Sequence, residues 1–420
     1  MTRHLVAALA ALVVAGAIPA APRGSDTPSL RVRNETQFAA AVARLHRSGG
    51  TIWLLPHAYR GELVVPPRSG GWLRILGTPG ARVERLTLDH TQRVSVGRLR
   101  IVPFVQDARI EAYASAQVDL HDLVVSAAGT PYSASVHLPL SRNVTIRRST
   151  FAHCTDRSPL LVSCVFLRWV SYLTIEDSTF SDCHGCDFVN GRFRRGLTLR
   201  RNRFERALPC HGLGRFRCGH QDLVQLFAGR GLVVENNHFG LYRKGAAQLY
   251  LTNAIDHALI ANNVFVGTDP RYPGYHARVA LIVGARGTRH VPVDVRIVNN
   301  TILTGAERID GYLGSIRMTS AYSRIQKRRR PVLANNIIAL LGVPGHVCKQ
   351  LRASVSNLIL KGRRCSDSDR RGDAALDARG RPTAASTLLI DGANGRYAPP
   401  RDITGWPRGG TPDIGAYEHR

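Results

Sequence analysis

The chain is short of lysine, of methionine and of long apolar runs. Of 57 basic residues in 420, only Lys244, Lys327, Lys349 and Lys361 are lysine, so arginine carries nearly all of a formal net charge of +27. After the N-terminus no apolar stretch approaches the ~18 residues that a membrane-crossing helix requires. No recognition helix, finger or stacking motif can be read among the arginines, which argues against nucleic acid as the partner. Clustered carboxylates of the kind that hold calcium are also lacking, so a calcium cofactor has no support from an acidic cluster.

What is present begins with "MTRHLVAALAALVVAGAIPAAP", where Arg3 and His4 precede an apolar run from Leu5 to about Ala17 and then small residues. That three-part layout is expected of a secretory signal over residues 1–21. Export suits the eight cysteines, an even number in a compartment where disulfides persist. Cys210 and Cys218 are spaced to close one loop and Cys348 and Cys365 another. Cys154, Cys164, Cys183 and Cys186 remain to pair among themselves in an order left open. "CHGC" (183–186) is also half of a zinc motif, but no second half follows at ligand spacing. An exported, strongly cationic surface attracts polyanions, of which acidic polysaccharide is the expected partner for what should be a monomer.

A repeat runs through most of the chain. "VTIRRSTF", "LTIEDSTF", "LTLRRNRF", "LVVENNHF", "LIANNVF", "VRIVNNTI" and "VLANNII" align on Phe151, Phe180, Phe204, Phe239, Phe265, Ile302 and Ile338, with weaker copies near Ile101 and Val125. Each is an alternating strand, a polar pair and an inward apolar residue. The pairs Asn236–Asn237, Asn262–Asn263, Asn299–Asn300 and Asn335–Asn336 suit sharp corners, since Asn tolerates the left-handed backbone.

The variable period, with Asn at a fixed corner and Phe after it, resembles the right-handed parallel β-helix of the pectate-lyase-like superfamily over roughly residues 34–357. The ending "TPDIGAYEHR" also resembles the tail of bacterial secreted β-helix proteins. The resemblance implies an all-β, single-domain right-handed parallel β-helix over 30–360. A short capping helix from about Thr36 to His46 would precede it, and a loop-rich wrap over 361–420 would follow. It further implies that a third strand in each coil, preceding the Asn corner, builds the substrate groove.

The third strand is read in "SCVFL", "DFVNG", "DLVQLF", "AQLYL", "RVALIVG" and "GSIRMTS". Counting back from the following repeat stacks Asn190 on Gln225, with Asp187 and Asp222 in register at the strand entrances. Gln248 and Tyr250 are expected outward on the next coil, and Arg278 and Arg317 on the two after that. A polar ladder flanked by cations suits a carboxylated sugar chain, because guanidinium binds carboxylate bidentately. His220 with Asp222 and Gln225 forms His-x-Asp-x-x-Gln, which resembles a strand entrance seen in β-helix carbohydrate-active proteins. A His beside a carboxylate can move a proton near neutral pH.

These residues lead to a lyase-like enzyme on an acidic polysaccharide. His220, Asp222 and Tyr250 are the catalytic candidates, and Asp187, Asn190, Gln225, Lys244, Gln248, Arg278 and Arg317 are the substrate-binding candidates. A non-catalytic glycan binder is a second reading. A third is a glycoside hydrolase whose carboxyl pair is Asp187 and Asp222. The clustered Asp-Asp and Gly-His-Gly of pectin hydrolases are absent from the chain.

Overall fold

The structure is a computed structural model that describes residues 27–155, 163–208, 222–242, 247–267, 279–284, 290–304, 308–309, 312–341 and 346–420. After a first strand, Ser29–Val32, the helix α1 (Glu35–Leu45) starts at Asn34, whose side chain accepts the backbone N–H of Gln37. It buries Phe38, Ala41, Val42 and Leu45, spaced three to four apart, over the open end of the solenoid. Covering this end removes a sticky edge. Beyond it the chain winds through coils of three strands, and the described strands pair in parallel except for the hairpin Arg308–Ile309 with Tyr312–Leu313.

Three parallel sheets result. Sheet A holds the third strands of the repeat, such as Ala134–Pro139, Val224–Leu226, Leu249–Leu251 and Ile316–Met318. Sheet B holds the strands leading to the Asn corner, such as Gly229–Glu235 and Val293–Val298, and sheet C the short strands after it. Ser163–Glu176 and Asp187–Arg200 each run unbroken through A and bend into B.

The repeat stacks in the register read from its period. Ile101, Val125, Phe151, Phe180, Phe204, Phe239, Phe265, Ile302 and Ile338 form one column on sheet C. The phenylalanine rings from Phe151 to Phe265 stack at 4.6–5.0 Å between centroids.

At the B–C corner the two members of each polar pair separate. The first takes the left-handed backbone, as at Asp122, Arg148, Asp177, Arg201, Asn236, Asn262, Asn299 and Asn335. The second points inside and forms a ladder. Asn202, Asn237, Asn263, Asn300, Asn336 and Asn357 each accept, through Oδ1, the backbone N–H of the ladder residue one coil earlier. Ser149 and Ser178 continue the ladder with hydroxyl oxygens. A second interior ladder at the A–B corner runs Thr91–Ser115–Ser141.

The C-terminal tail covers the outside of the B–C corner. Asn262 Nδ2 donates to Arg401 O, Asn299 Nδ2 to Asp413 O, and Asn335 Nδ2 to Asn394 O, so the left-handed Asn residues dock it. The buried Arg408 guanidinium locks it by pairing with Glu418 at 2.7 Å and donating to Asn262 Oδ1 and Gly415 O. The disulfides Cys154–Cys164 and Cys183–Cys186 resolve the central four cysteines, and Cys348 pairs with Cys365. In "CHGC" the two sulfurs bond each other. Cys210 and Cys218 lie outside the described residues.

Candidate functional site

Alternation puts every second residue of sheet A outward. The pairings place Thr87, Glu111, His137, Phe166, Asn190, Gln225, Tyr250, Ile282 and Arg317 in one outward row, one residue per coil. Neighbouring coils stand about 4.8 Å apart. Asn190, Gln225, Tyr250 and Arg317 share this row, but Gln225 is buried, at 6% exposure, with its Oε1 taken by Asn190 Nδ2. Gly191 beside Asn190 is required there, because a Cβ would lie 2.0 Å from Leu167 O of the coil below.

Gln248 is not in the row. It is fully buried, with Nε2 donating to the carbonyls of Phe239 and Val266 and Oε1 accepting from Thr304 Oγ1. The residue paired with Gln225 is Tyr250. Gln248 lies one residue before the strand Leu249–Leu251, level with the buried Leu223, so strand alternation does not turn it outward.

Asp187 and Asp222 do stack at strand entrances, but buried, at 6% and 0% exposure. Asp187 Oδ1 accepts the Asp222 N–H at 2.8 Å, and Asp222 Oδ1 accepts the Ala247 N–H at 2.7 Å. Asn190 Nδ2 donates to the other Asp187 oxygen and, at 3.1 Å, to Gln225 Oε1. The two carboxylates therefore form a coil-to-coil ladder that clamps the starts of the strands carrying Gln225 and Tyr250. A hydrolytic pair needs one carboxyl protonated toward the leaving oxygen and the other facing water. Carboxylates buried against backbone amides do not fit that arrangement. They do not fit calcium either, since both Asp187 oxygens and one Asp222 oxygen face N–H donors where a hard cation requires free oxygen lone pairs.

Tyr250 is half-buried against Ala247, Val279 and Ile282. Burial raises its phenol pKa above the ordinary value, the Asp222 charge adds to this, and Arg317 opposes it. The phenol is thus a protonated donor at neutral pH. His220, Lys244 and Arg278 lie outside the described residues.

The sequence reading overlooked His137 and Phe166, two coils and one coil below Asn190 in the same row. "ASVHLP" carries the alternation that would have found His137. Burial first, then Arg109, holds its imidazole down to a pKa of about 4, so it is neutral, with Nε2 3.0 Å from Ser135 Oγ.

Sheet B carries another constellation. His121 sets Nε2 3.1 Å from Ser95 Oγ and Nδ1 2.7 Å from Asp122 Oδ2. An acyl-transfer triad also needs free N–H donors for its oxyanion. Ser95 lies in a strand paired on both sides, and Asp119 Oδ2 stands 3.5 Å from its hydroxyl, opposing any developing negative charge. Asp122 is held by Arg148, at 2.9 and 3.0 Å, as a surface ion pair. Five coils further along sheet B, in the acidic group Asp256, His257 and Asp294, Arg329 bonds both carboxylates.

No family model matches the chain, and no curated protein matches it. Among solved structures, pectate lyase Pel9A superposes with a TM-score of 0.51 over 94% of this chain and 98% of its own, at 13% identity. An alginate lyase from Paenibacillus sp. str. FPU-7 aligns over 69% of this chain and 97% of its own, with TM-score 0.42 and 8% identity. The alginate lyase AlyGC covers 92% of this chain and 58% of its own, with TM-score 0.38 and 14% identity. Register, corner ladders and the Pel9A superposition together make the chain a right-handed parallel β-helix of pectate-lyase-like fold.

Proposed function

We propose that the protein is a secreted enzyme that cleaves an acidic polysaccharide by β-elimination on the outward face of sheet A. The observation that carries this reading is Tyr250, a half-buried phenol kept protonated in the same row as Asn190, Gln225 and Arg317. Asn190, held in place by Asp187 and the buried Gln225, hydrogen-bonds a sugar hydroxyl, and Arg317 neutralises the uronate carboxylate, which acidifies the neighbouring C–H. A base takes the proton from C5, the C4–O bond breaks, and a C4–C5 double bond forms. The departing oxygen takes a proton from Tyr250, which recovers it from solvent. His220 is the proposed base, from its place before Asp222 in sequence. Asp222 is a positioning residue: it holds the strand start and biases the phenol toward its protonated form. Lys244 and Arg278 are proposed as further cations beside the chain. The disulfides fit the oxidising compartment to which residues 1–21 would direct the protein.

The test is turnover of polygalacturonate and alginate, followed by the ultraviolet absorbance of the unsaturated uronate product. Tyr250→Phe should lower kcat at least tenfold with little change in KM. Salt-sensitive binding with no cleavage of any polymer would instead leave the protein a glycan binder.

A further inference from the structure

The arginines of this chain fall into two populations. On sheets B and C several are neutralised across coils: Arg147 by Asp119, Arg148 by Asp122, Arg200 by Glu176, Arg201 by Asp177 and Arg206 by Asp182. At the A–B corner Arg230 meets Asp256 at 3.8 Å, but five others are left without such a partner. Arg142, Arg168, Arg192, Arg194 and Arg195 are exposed and have no acidic partner among the described residues. Pairing places Arg168 on Arg192, and Arg142 and Arg195 on either side of Ser171, so these cations occupy consecutive coils of one edge.

Large apolar side chains are exposed on the same edge. Leu140, Trp169 and Tyr172 are 41%, 36% and 55% exposed. Leu140 lies one coil from Trp169, its N–H bonding the Arg168 carbonyl, and both take the left-handed backbone that turns the side chain out. The Arg192 guanidinium lies 5.5 Å from the Trp169 ring centroid. The Tyr172 ring lies against Gly196, where any Cβ would come within 2.8 Å of it. The left-handed sites of the next two coils are Gly196 and Gly231, which keep the surface beyond Tyr172 low.

We infer that this A–B corner is a second glycan-binding site: a ledge that holds a uronate polysaccharide running along the solenoid axis, outside the sheet A row. Unpaired guanidinium groups supply bidentate partners for carboxylates, and indole and phenol faces supply stacking surfaces for the C–H faces of sugar rings. The step from coil to coil, about 4.8 Å, is close to the length of one pyranose unit, so successive sugars meet successive coils. Single-stranded nucleic acid shares the charge, but Leu140 offers it no π-face. The ledge uses none of the proposed catalytic residues, so it stands or falls independently of turnover.

The test is affinity for polygalacturonate, alginate, neutral dextran and oligo-dT, titrated in the Tyr250→Phe background so that turnover is at least tenfold slower. In that background Trp169→Ala with Tyr172→Ala, and separately Arg192→Ser with Arg195→Ser, should each weaken binding of at least one polyuronate about tenfold, because a central aromatic or Arg contact costs more than 1 kcal/mol when truncated. Dextran should not bind, and added salt should weaken the polyuronates. All four side chains are exposed, so the melting temperature should stay at that of the background. Unchanged polyuronate affinity in both variants would overturn the inference. So would oligo-dT binding at least as tightly as the polyuronates and losing affinity with the same substitutions, which would make the ledge a nucleic-acid face.

Discussion

Replacing Asp222 in two ways separates its structural work from its electrostatic work. Its side chain is fully buried, with Oδ1 2.7 Å from the Ala247 N–H. Asp222→Ala strands that buried amide and removes a hydrogen bond to a charged acceptor, a loss of about 1.5–3 kcal/mol. Asp222→Asn keeps an oxygen acceptor at the same place, so its cost should stay below about 1 kcal/mol. Asn carries no charge, however, and the Asp222 charge is one of the influences that raise the Tyr250 pKa. In Asp222→Asn the phenol should therefore lose its proton at lower pH than in the parent. Because the phenol acts as the acid, kcat declines as pH rises through its pKa, and that alkaline limb should move downward. Urea melts measure the first difference, and the pH profile of kcat on the cleaved polymer measures the second. Equal stability losses in the two variants would refute the clamp, and an unmoved alkaline limb would refute the coupling to Tyr250.

In the interior ladder, Asn263→Ala should cost about 2–5 kcal/mol, since it strands the Asn237 N–H and the Val234 carbonyl, both buried; urea melts would show it. His137 protonates near its ordinary pKa of about 6.5 when unfolded but only at about 4 when folded. The folded state thus binds fewer protons between these values, and stability should fall by about 3 kcal/mol as pH drops from 6.5 to 4, then level off. His137→Gln should remove that slope from melts across the window. Arg408→Ala leaves Glu418 buried without its cation, so the tail from about residue 391 onward should become the first site of limited proteolysis.

The solenoid is legible because it rests on repetition. A column such as Phe151 to Phe265 needs the same residue type at the same place in each coil, and variable spacing does not hide it. The Asn pairs announced a corner, but their division of labour did not show. Asn300 and Asn263 bond within the ladder, while Asn299 and Asn262 hold a tail more than a hundred residues later in the chain. A contact at that separation leaves no periodic signal. The functional row was read by counting, and counting is only as good as the strand bounds. It placed Asn190 over Gln225 and then misplaced Gln248, which sits just before its strand, where alternation no longer sets which way a side chain points. The burial of Asp187 and Asp222 was hidden for another reason: an acidic residue before a strand has the same sequence signature whether it caps an amide or meets a substrate. The corner ledge depends on which arginines lack a carboxylate neighbour, a property of three-dimensional pairing across coils.

The most direct measurement is the ultraviolet absorbance of polygalacturonate and alginate incubated with the protein, beside Tyr250→Phe and Arg317→Ala. The account expects absorbance to rise for at least one polyuronate with the parent protein and to fall at least tenfold in rate for each variant. New reducing ends without absorbance, or variants as active as the parent, would contradict it.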